Sequence, residues 1–364
     1  MNHRYISIAL MALLIPLASI AQTSSSTTTG LSNLMNPAIS VNGLLLGQTD
    51  MKNSSREVNG IGLQEAEIQC SAVVDPFWKA NVIVSFFPEH FGSEYCVGIE
   101  EANVTSTALP AGIALKAGKF FLPFGKHSPL HTHQFPFIEA PRPVETLLGE
   151  GLTDTGVLLA ISIPLPWFSD LMVYGVDGAA EIFEAAHRDI TAGGRWVNFW
   201  DVSDEGTLEI GTSLLAGQAS PDFFGQGGRR YVYGADLTYK WTSSAQSHGP
   251  AVTFQNEALF STFENGDDTP YGWYSLAQYR FHRNWWIGAT HGQVKYDIES
   301  TAGTSDPLCV DTHEYKINLT ATPSEFSAVR FEAAWYDDRV HDNDEFRLAV
   351  QCNFTIGSHP AHLY

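Results

Sequence analysis

The chain has 364 residues, of which 16% are charged and 44% hydrophobic, with a mean hydropathy of -0.08. Soluble domains run nearer 25% charged, so two ordinary soluble domains fit this length poorly. With 40 Asp and Glu against 20 Lys and Arg, the formal charge is -20, which argues against nucleic acid as a partner and favours cations or surfaces bridged by them.

His3 and Arg4 precede an apolar run over 6–17, broken only by Ser7 and Pro16, and Ser19-Ile20-Ala21 supplies small residues for a cleavage site. Residues 1–21 read as a secretory signal peptide. Residues 22–37, rich in Ser and Thr, read as a flexible leader. The remainder, 38–364, holds no run of ~18 apolar residues, so no transmembrane helix is expected there. Instead the pattern has period two. Alternating segments are expected at 39–48, 60–74, 77–87, 93–104, 112–121, 154–163, 170–178 and 195–202. They continue at 207–218, 229–242, 251–264, 271–282, 284–296, 313–322, 325–337 and 345–356. The last is the clearest: Phe346, Leu348, Val350, Cys352, Phe354 and Ile356 oppose Arg347, Ala349, Gln351, Asn353 and Thr355.

Most of these segments run to about 10–15 residues, whereas globular strands average ~5–6 and a membrane-crossing strand needs ~9–11. Aromatic residues stand near their ends: Trp78 and Phe86, Tyr231 and Trp241, Trp273 and Phe281, Trp285 and Tyr296. That placement is expected of two interfacial girdles. Connections after odd segments are mostly long and those after even segments short. The expected fold class is all-β: a single transmembrane antiparallel β-barrel of about 16 strands with both termini in the periplasm. Cys70, Cys96, Cys309 and Cys352 form no CxxC or zinc-type spacing and read as unpaired thiols.

The third outer loop, 122–153, is too long for a plain connection and is expected to fold into the lumen. It carries Lys126, His127, His131, His133, Glu139, Arg142, Glu145 and Glu150 as candidate constriction residues. Pro123, Pro129, Pro136, Pro141 and Pro143 stiffen it and exclude a helix over most of its length. Neutral imidazoles suit zinc and similar ions, so His127, His131 and His133 form a candidate metal set that Glu139 would complete. The polar strand faces place Glu65, Glu67, Lys79, Glu209, Arg230, Asp236, Lys240 and Glu257 on the lumen wall. Arg280, Glu314, Lys316, Arg330, Glu332 and Arg347 join them. Acid and base in such a mixture either set up a transverse field or pair and fill the interior. The acidic excess collects in outer loops, at Asp337, Asp338, Asp342, Asp344 and Glu345, at Glu264, Asp267 and Asp268, and at Asp297, Glu299, Asp306 and Asp311. No GxSxG or HExxH is present, so no catalytic residues are expected.

Several stretches resemble a family of porin-like bacterial outer-membrane barrels. They are 36–40 (Asn-Pro-Ala-Ile-Ser), 115–121 with Phe124-Gly125, the loop histidines with 148–152 and Gly156-Val157, 233–241, and 356–362. The terminal Tyr364 resembles the aromatic signal read by barrel-assembly machinery. The resemblance implies a Gram-negative outer membrane, contact with lipid and lipopolysaccharide, and passive passage of small polar solutes or cations. Some relatives carry a zinc-regulated label, which implies zinc or another divalent cation as the one candidate cofactor.

Overall fold

A computed structural model of the protein describes residues 37–52, 59–183, 189–220, 224, 227–243, 249–266, 268–298, 308–338 and 344–357. The expected signal peptide and leader up to residue 36, Asp267, Glu299, Asp306, Asp342 and the stretch with Tyr364 lie outside these residues.

The first eight strands are β1 (Ala38–Asp50), β2 (Gly60–Asp75), β3 (Trp78–Pro88), β4 (Tyr95–Ser106), β5 (Ile113–Phe121), β6 (Thr153–Ser162), β7 (Phe168–Val176) and β8 (Thr191–Asp201). The second eight are β9 (Gly206–Gln218), β10 (Gly227–Thr242), β11 (Ala251–Asn265), β12 (Tyr271–His282), β13 (Trp285–Ile298), β14 (Leu308–Ser324), β15 (Ser327–Asp338) and β16 (Glu345–Gly357). Each pairs antiparallel with its neighbours in sequence, and β1 pairs with β16 from Ser40 opposite Gly357 to Asp50 opposite Arg347. The sheet is a closed 16-strand barrel with no free edge.

All sixteen expected segments are strands. The widest boundary differences have local causes. β8 begins at Thr191 rather than 195 because Gly193 and Gly194 interrupt the side-chain alternation that marks a strand. Gly193 is needed there, since an added Cβ would lie 2.5 Å from the Tyr174 hydroxyl. β14 begins at Leu308, where Cys309 and Asp311 pair with Asp297 and Lys295 of β13.

The alternation separates two environments. Leu45, Phe254, Phe260, Ile287, Ile317, Phe331, Leu348 and Val350 stand exposed on the outside. On the inside, Glu65, Glu67, Arg230, Asp236, Glu257, Glu314, Lys316 and Glu332 are buried. One expected girdle aromatic is corrected: Tyr296 follows Val294 onto the inner face and packs edge-on to Phe224. The four cysteines are free thiols.

Residues 122–152 leave the wall after β5 and pass through the interior. Phe120, Leu122, Phe124, Phe137, Val144, Leu147, Leu148 and Leu152 join Leu158, Tyr174, Val176, Leu215, Val232, Leu259, Tyr274, Leu276 and Val294 in a buried apolar cluster. Part of the barrel interior is therefore an ordinary hydrophobic core, with the loop as its centre. The departure point is a thin seam. β4 and β5 pair only from Ala102 opposite Lys119 to Thr105 opposite Lys116. Beyond Ala102, side chains replace the ladder: the Phe121 amide donates to Glu101 Oε1 at 3.3 Å, and Lys119 Nζ donates to the Ile99 carbonyl at 2.6 Å.

Gly118 makes the last turn of that ladder possible, with φ at +122° and a position where a Cβ would fall 2.2 Å from the Ala102 carbonyl. Gly118→Val is expected to destabilise the barrel by about 3 kcal/mol through overpacking against backbone. The readout is depletion of the compact, heat-modifiable band in detergent gels. Gly175→Val is the control, because a Cβ there meets nothing within 4 Å. Equal yields of folded protein from both variants would contradict the assignment.

Candidate functional site: the inturned loop and its wall

The loop is built from short constrained pieces. A 3₁₀ turn at Thr132–Gln134 is closed by the His131 amide donating to Gln134 Oε1 at 3.0 Å and the Gln134 amide to the His131 carbonyl at 2.8 Å. Helix α1 (Arg142–Leu148) begins after Pro141, and Pro143 sits in its first turn, where a missing N–H costs nothing. It ends at Gly149, whose φ is +79°.

The inward charges of the wall are the partners of this loop's backbone. Glu257 Oε2 accepts from the amides of Lys126 and His127, at 3.2 Å each, and from the Tyr274 hydroxyl at 2.8 Å. Glu332 accepts from the Ile138 amide at 3.0 Å, and Glu314 from the Arg142 amide at 3.0 Å. In the opposite sense, Arg330 donates to the Phe135 carbonyl at 2.9 Å, Lys316 to Ala140 at 3.0 Å and Arg230 to Leu147 at 2.8 Å. Asn318 and Asn353 donate to the carbonyls of Pro136 and His133 at 2.9 and 3.1 Å. A loop inside a barrel has backbone groups that water cannot reach, and each needs a partner. Two roles are open to the wall charges from the sequence, a transverse field and pairing of acid with base; these contacts are a third, the satisfaction of loop backbone groups.

The remaining wall residues divide by depth. Asp236 is buried against Arg195, with Arg195 Nη1 2.5 Å from Asp236 Oδ2 and Nη2 3.5 Å from Glu209. Lys126 closes this group by contacting Glu209 at 2.7 Å. Arg280 donates to the Gly249 carbonyl at 2.8 Å and lies over the Trp286 ring. Lys79 stands exposed near the start of β3. Lys240 lines a cavity of about 490 Å³ with Asp201, Ser203, Asp204 and Glu205, beside the turn between β8 and β9.

Water reaches Lys126, Glu139, Arg142 and Glu145 on the loop, whose side chains are 28, 36, 36 and 40% exposed. Glu150 is exposed at the loop's exit. Glu139 is held by Arg347, whose guanidinium grips both carboxylate oxygens, and by the Tyr336 hydroxyl, which donates at 3.0 Å. Burial works to raise the Glu139 pKa, but the charge and hydrogen bonds of Arg347 outweigh it and hold it at about 2.

The three histidines do not assemble into one site. The His127 ring is buried against Phe135 and Tyr274, and its amide is fixed to Glu257 on β11. Burial, aided by the Lys316 charge, lowers its pKa to about 3, so the ring is neutral. His131 and His133 lie on the opposite wall, stacked with centroids 5.7 Å apart. His131 Nδ1 lies 2.8 Å from Glu100 Oε2 and 3.3 Å from Glu67 Oε1, and His133 Nδ1 lies 2.5 Å from Glu67 Oε2. Burial would lower the His131 pKa, but the two carboxylates raise it to about 10. Glu139 is likewise committed to β15 and β16 and does not complete a histidine site. The expected set of three histidines with Glu139 is thus corrected to two histidines with wall carboxylates, and the split follows from the loop crossing the barrel between residues 127 and 131.

Two β-bulges build this second cluster. In β2, Leu44 faces Glu65 and Leu45 faces Leu63, so Gln64 is an extra residue. In β4, Ile83 faces Glu101 and Val84 faces Ile99, so Glu100 is extra. A bulge turns two successive side chains to one face. Gln64 consequently reaches the Ile138 carbonyl, and Glu100 reaches His131, beside Glu65 and Glu101. Strict alternation puts Gln64 and Glu100 on the lipid side, which is why period-two reasoning missed both. Arg195 was missed because the glycines of β8 hid its parity, although Trp196 beside it marks the outer face.

No protein-family model matches the chain. An uncharacterised protein of Aquifex aeolicus is 28% identical over 343 residues, covering 84% of this chain and 70% of that protein. A loop L8 deletion mutant of OmpT, an outer membrane protein of Vibrio cholerae, superposes with a TM-score of 0.60 at 7% identity, over 88% of this chain and 99% of that one. Pseudomonas putida OprB gives 0.59 at 7% identity, over 88% and 94%. An anion-selective porin from Comamonas acidovorans gives 0.57 at 8% identity, over 88% and 98%. The chain is a closed 16-strand barrel of the outer-membrane class. Within that class its fold is shared with the Comamonas acidovorans porin and with OprB.

The Glu139 clamp sets a pH dependence. Its carboxyl falls from an ordinary 4.5 to about 2 on folding, so its stabilisation is complete above pH 4.5 and is lost as pH drops through about 2. The difference in unfolding free energy between the wild type and Glu139→Gln, measured in detergent, is expected to be constant from pH 7 to about 5. It should shrink towards pH 2. A difference that grows on acidification would refute the clamp.

Proposed function

We propose that the protein is an outer-membrane porin of a Gram-negative bacterium, passing small polar solutes by passive diffusion with a preference for cations. The observation that carries this reading is a closed barrel whose interior loop is fastened by its backbone to the wall, while Lys126, Glu139, Arg142 and Glu145 stay in contact with water. A fastened loop with solvated charges on its surface is a fixed constriction, and passage past it needs no energy source.

The loop offers Lys126 and Arg142 to water against Glu139, Glu145 and Glu150, a set close to balance. The cation preference is assigned to the mouths instead, where Asp201, Asp204 and Glu205 share a cavity with Lys240 and where Asp337, Asp344 and Glu345 stand at the other end. Acidic mouths raise the local cation concentration over about a Debye length, ~10 Å at 0.1 M salt. The outward apolar band is the surface for lipid, and the barrel-assembly machinery and lipopolysaccharide are the partners this reading assigns. No bond-making chemistry is proposed.

Purified barrel in planar bilayers under a KCl gradient is expected to conduct, with a reversal potential of cationic sign that weakens at high salt. Shortening the loop across 128–146 should raise single-channel conductance several-fold. A folded, inserted barrel with no conductance would favour a surface-binding role without transport, and an anionic reversal potential would reject the mouth argument.

A further inference from the structure

We propose that His131, His133, Glu67 and Glu100 form a binding site for a first-row divalent cation of the zinc type, which staples the loop to β2 and β4. The site is independent of whether the barrel conducts. It stands on three observations. The first is convergence: one ligand atom each from Glu67, Glu100 and His131 lie within 4.8 Å of one another. His133 enters through the other oxygen of Glu67, at 2.5 Å. Coordination by two imidazole nitrogens and two carboxylates suits zinc, manganese, iron, cobalt or nickel better than calcium or magnesium, which prefer all-oxygen shells.

The second observation is a surplus of buried acid. Glu65, 6% exposed, lies beside Glu67 and Glu100, close enough for mutual charge repulsion. Its Oε2 is buried with no hydrogen-bond partner among the described residues. Three carboxyl groups and two imidazoles thus crowd one desolvated place. A divalent cation would accept lone pairs from several of these groups at once and offset the cost of holding carboxylates out of water. On binding, the cation would displace the proton from each ligating imidazole nitrogen to solvent.

The third observation is how the ligands are delivered. Glu100 reaches the cluster only because β4 bulges there, and the bulge lies at the seam where the β4–β5 ladder ends. His131 is set by the 3₁₀ turn, whose Gln134 side chain fixes its amide. The His133 carbonyl is fixed by Asn353. The Glu100 side chain is 20% exposed, which leaves an entry from the lumen.

The test uses folded, full-length barrel stripped with chelator, then given ZnCl₂ or CoCl₂ and desalted. The wild type is expected to retain one equivalent of metal, to show cobalt visible bands of nitrogen–oxygen coordination, and to unfold at higher temperature as zinc rises. His131→Ala and Glu100→Gln should each weaken retention by about tenfold or more. Glu100→Gln keeps the size of the side chain, and it decides the matter if His131→Ala does not fold. Two variants should bind as the wild type does: His127→Ala, on the same loop, and the double change His291→Ala with His313→Ala, a stacked pair elsewhere on β13 and β14. Absence of retained metal in the wild type, or retention unchanged by Glu100→Gln, overturns the proposal. So does loss of retention in the His291/His313 double variant alone.

Discussion

Everything in this molecule depends on β1 pairing with β16. A sheet edge in hydrocarbon leaves a row of unsatisfied amides and carbonyls, each costing several kcal/mol, and closure removes the row. Once the ring is closed, every strand has one face to lipid and one to the interior, and the side-chain period of two follows. The ring of sixteen strands is also wide enough that side chains alone do not fill it. Something else has to occupy the middle.

The loop after β5 meets that need in two different ways on its two sides. Against β6 to β13 it contributes Leu122, Phe124, Val144, Leu147 and Leu148 to a core held by apolar burial. Against β2, β4, β15 and β16 it is held by charges and amides, through His131, His133, Ile138 and Glu139. The wall groups do not form a simple set of ion pairs among themselves. Glu257, Glu332 and Glu314 are spent on loop amides, and Arg230, Arg330 and Lys316 on loop carbonyls. Charge-assisted bonds of this kind are stronger than neutral ones and fix position sharply.

The strands were legible in the sequence because alternation is a direct projection of the two environments, and runs such as 345–356 carry it without interruption. The inward parity of Arg230, Glu257, Lys316 and Arg347 follows from the same rule. What alternation does not encode is where it slips. Gln64 and Glu100 are inward only because of bulges, and no turn residue marks either one. Arg195 sits behind two glycines that leave no side chain to alternate. The histidine spacing at 127, 131 and 133 points to a shared ligand, yet the chain crosses the lumen between the first and the second. Such a crossing is set by Glu257 and Tyr274 on one wall and Glu67 on the other, residues far away in sequence. The pairing of loop backbone with wall charge is equally long-range, and period carries no information about it.

The position of the loop has a consequence for how the barrel comes together. Residues 133–139 touch β2 through Gln64, β15 through Arg330 and Tyr336, and β16 through Asn353 and Arg347. They therefore straddle the junction at which the first and last strands meet. That junction joins the parts of the chain most distant in sequence and is entropically the slowest to form. A segment that contacts both banks ties β2 to β16 by a route other than the β1 ladders. In this chain the segment that occupies the interior is also a bridge across the seam that closes the wall.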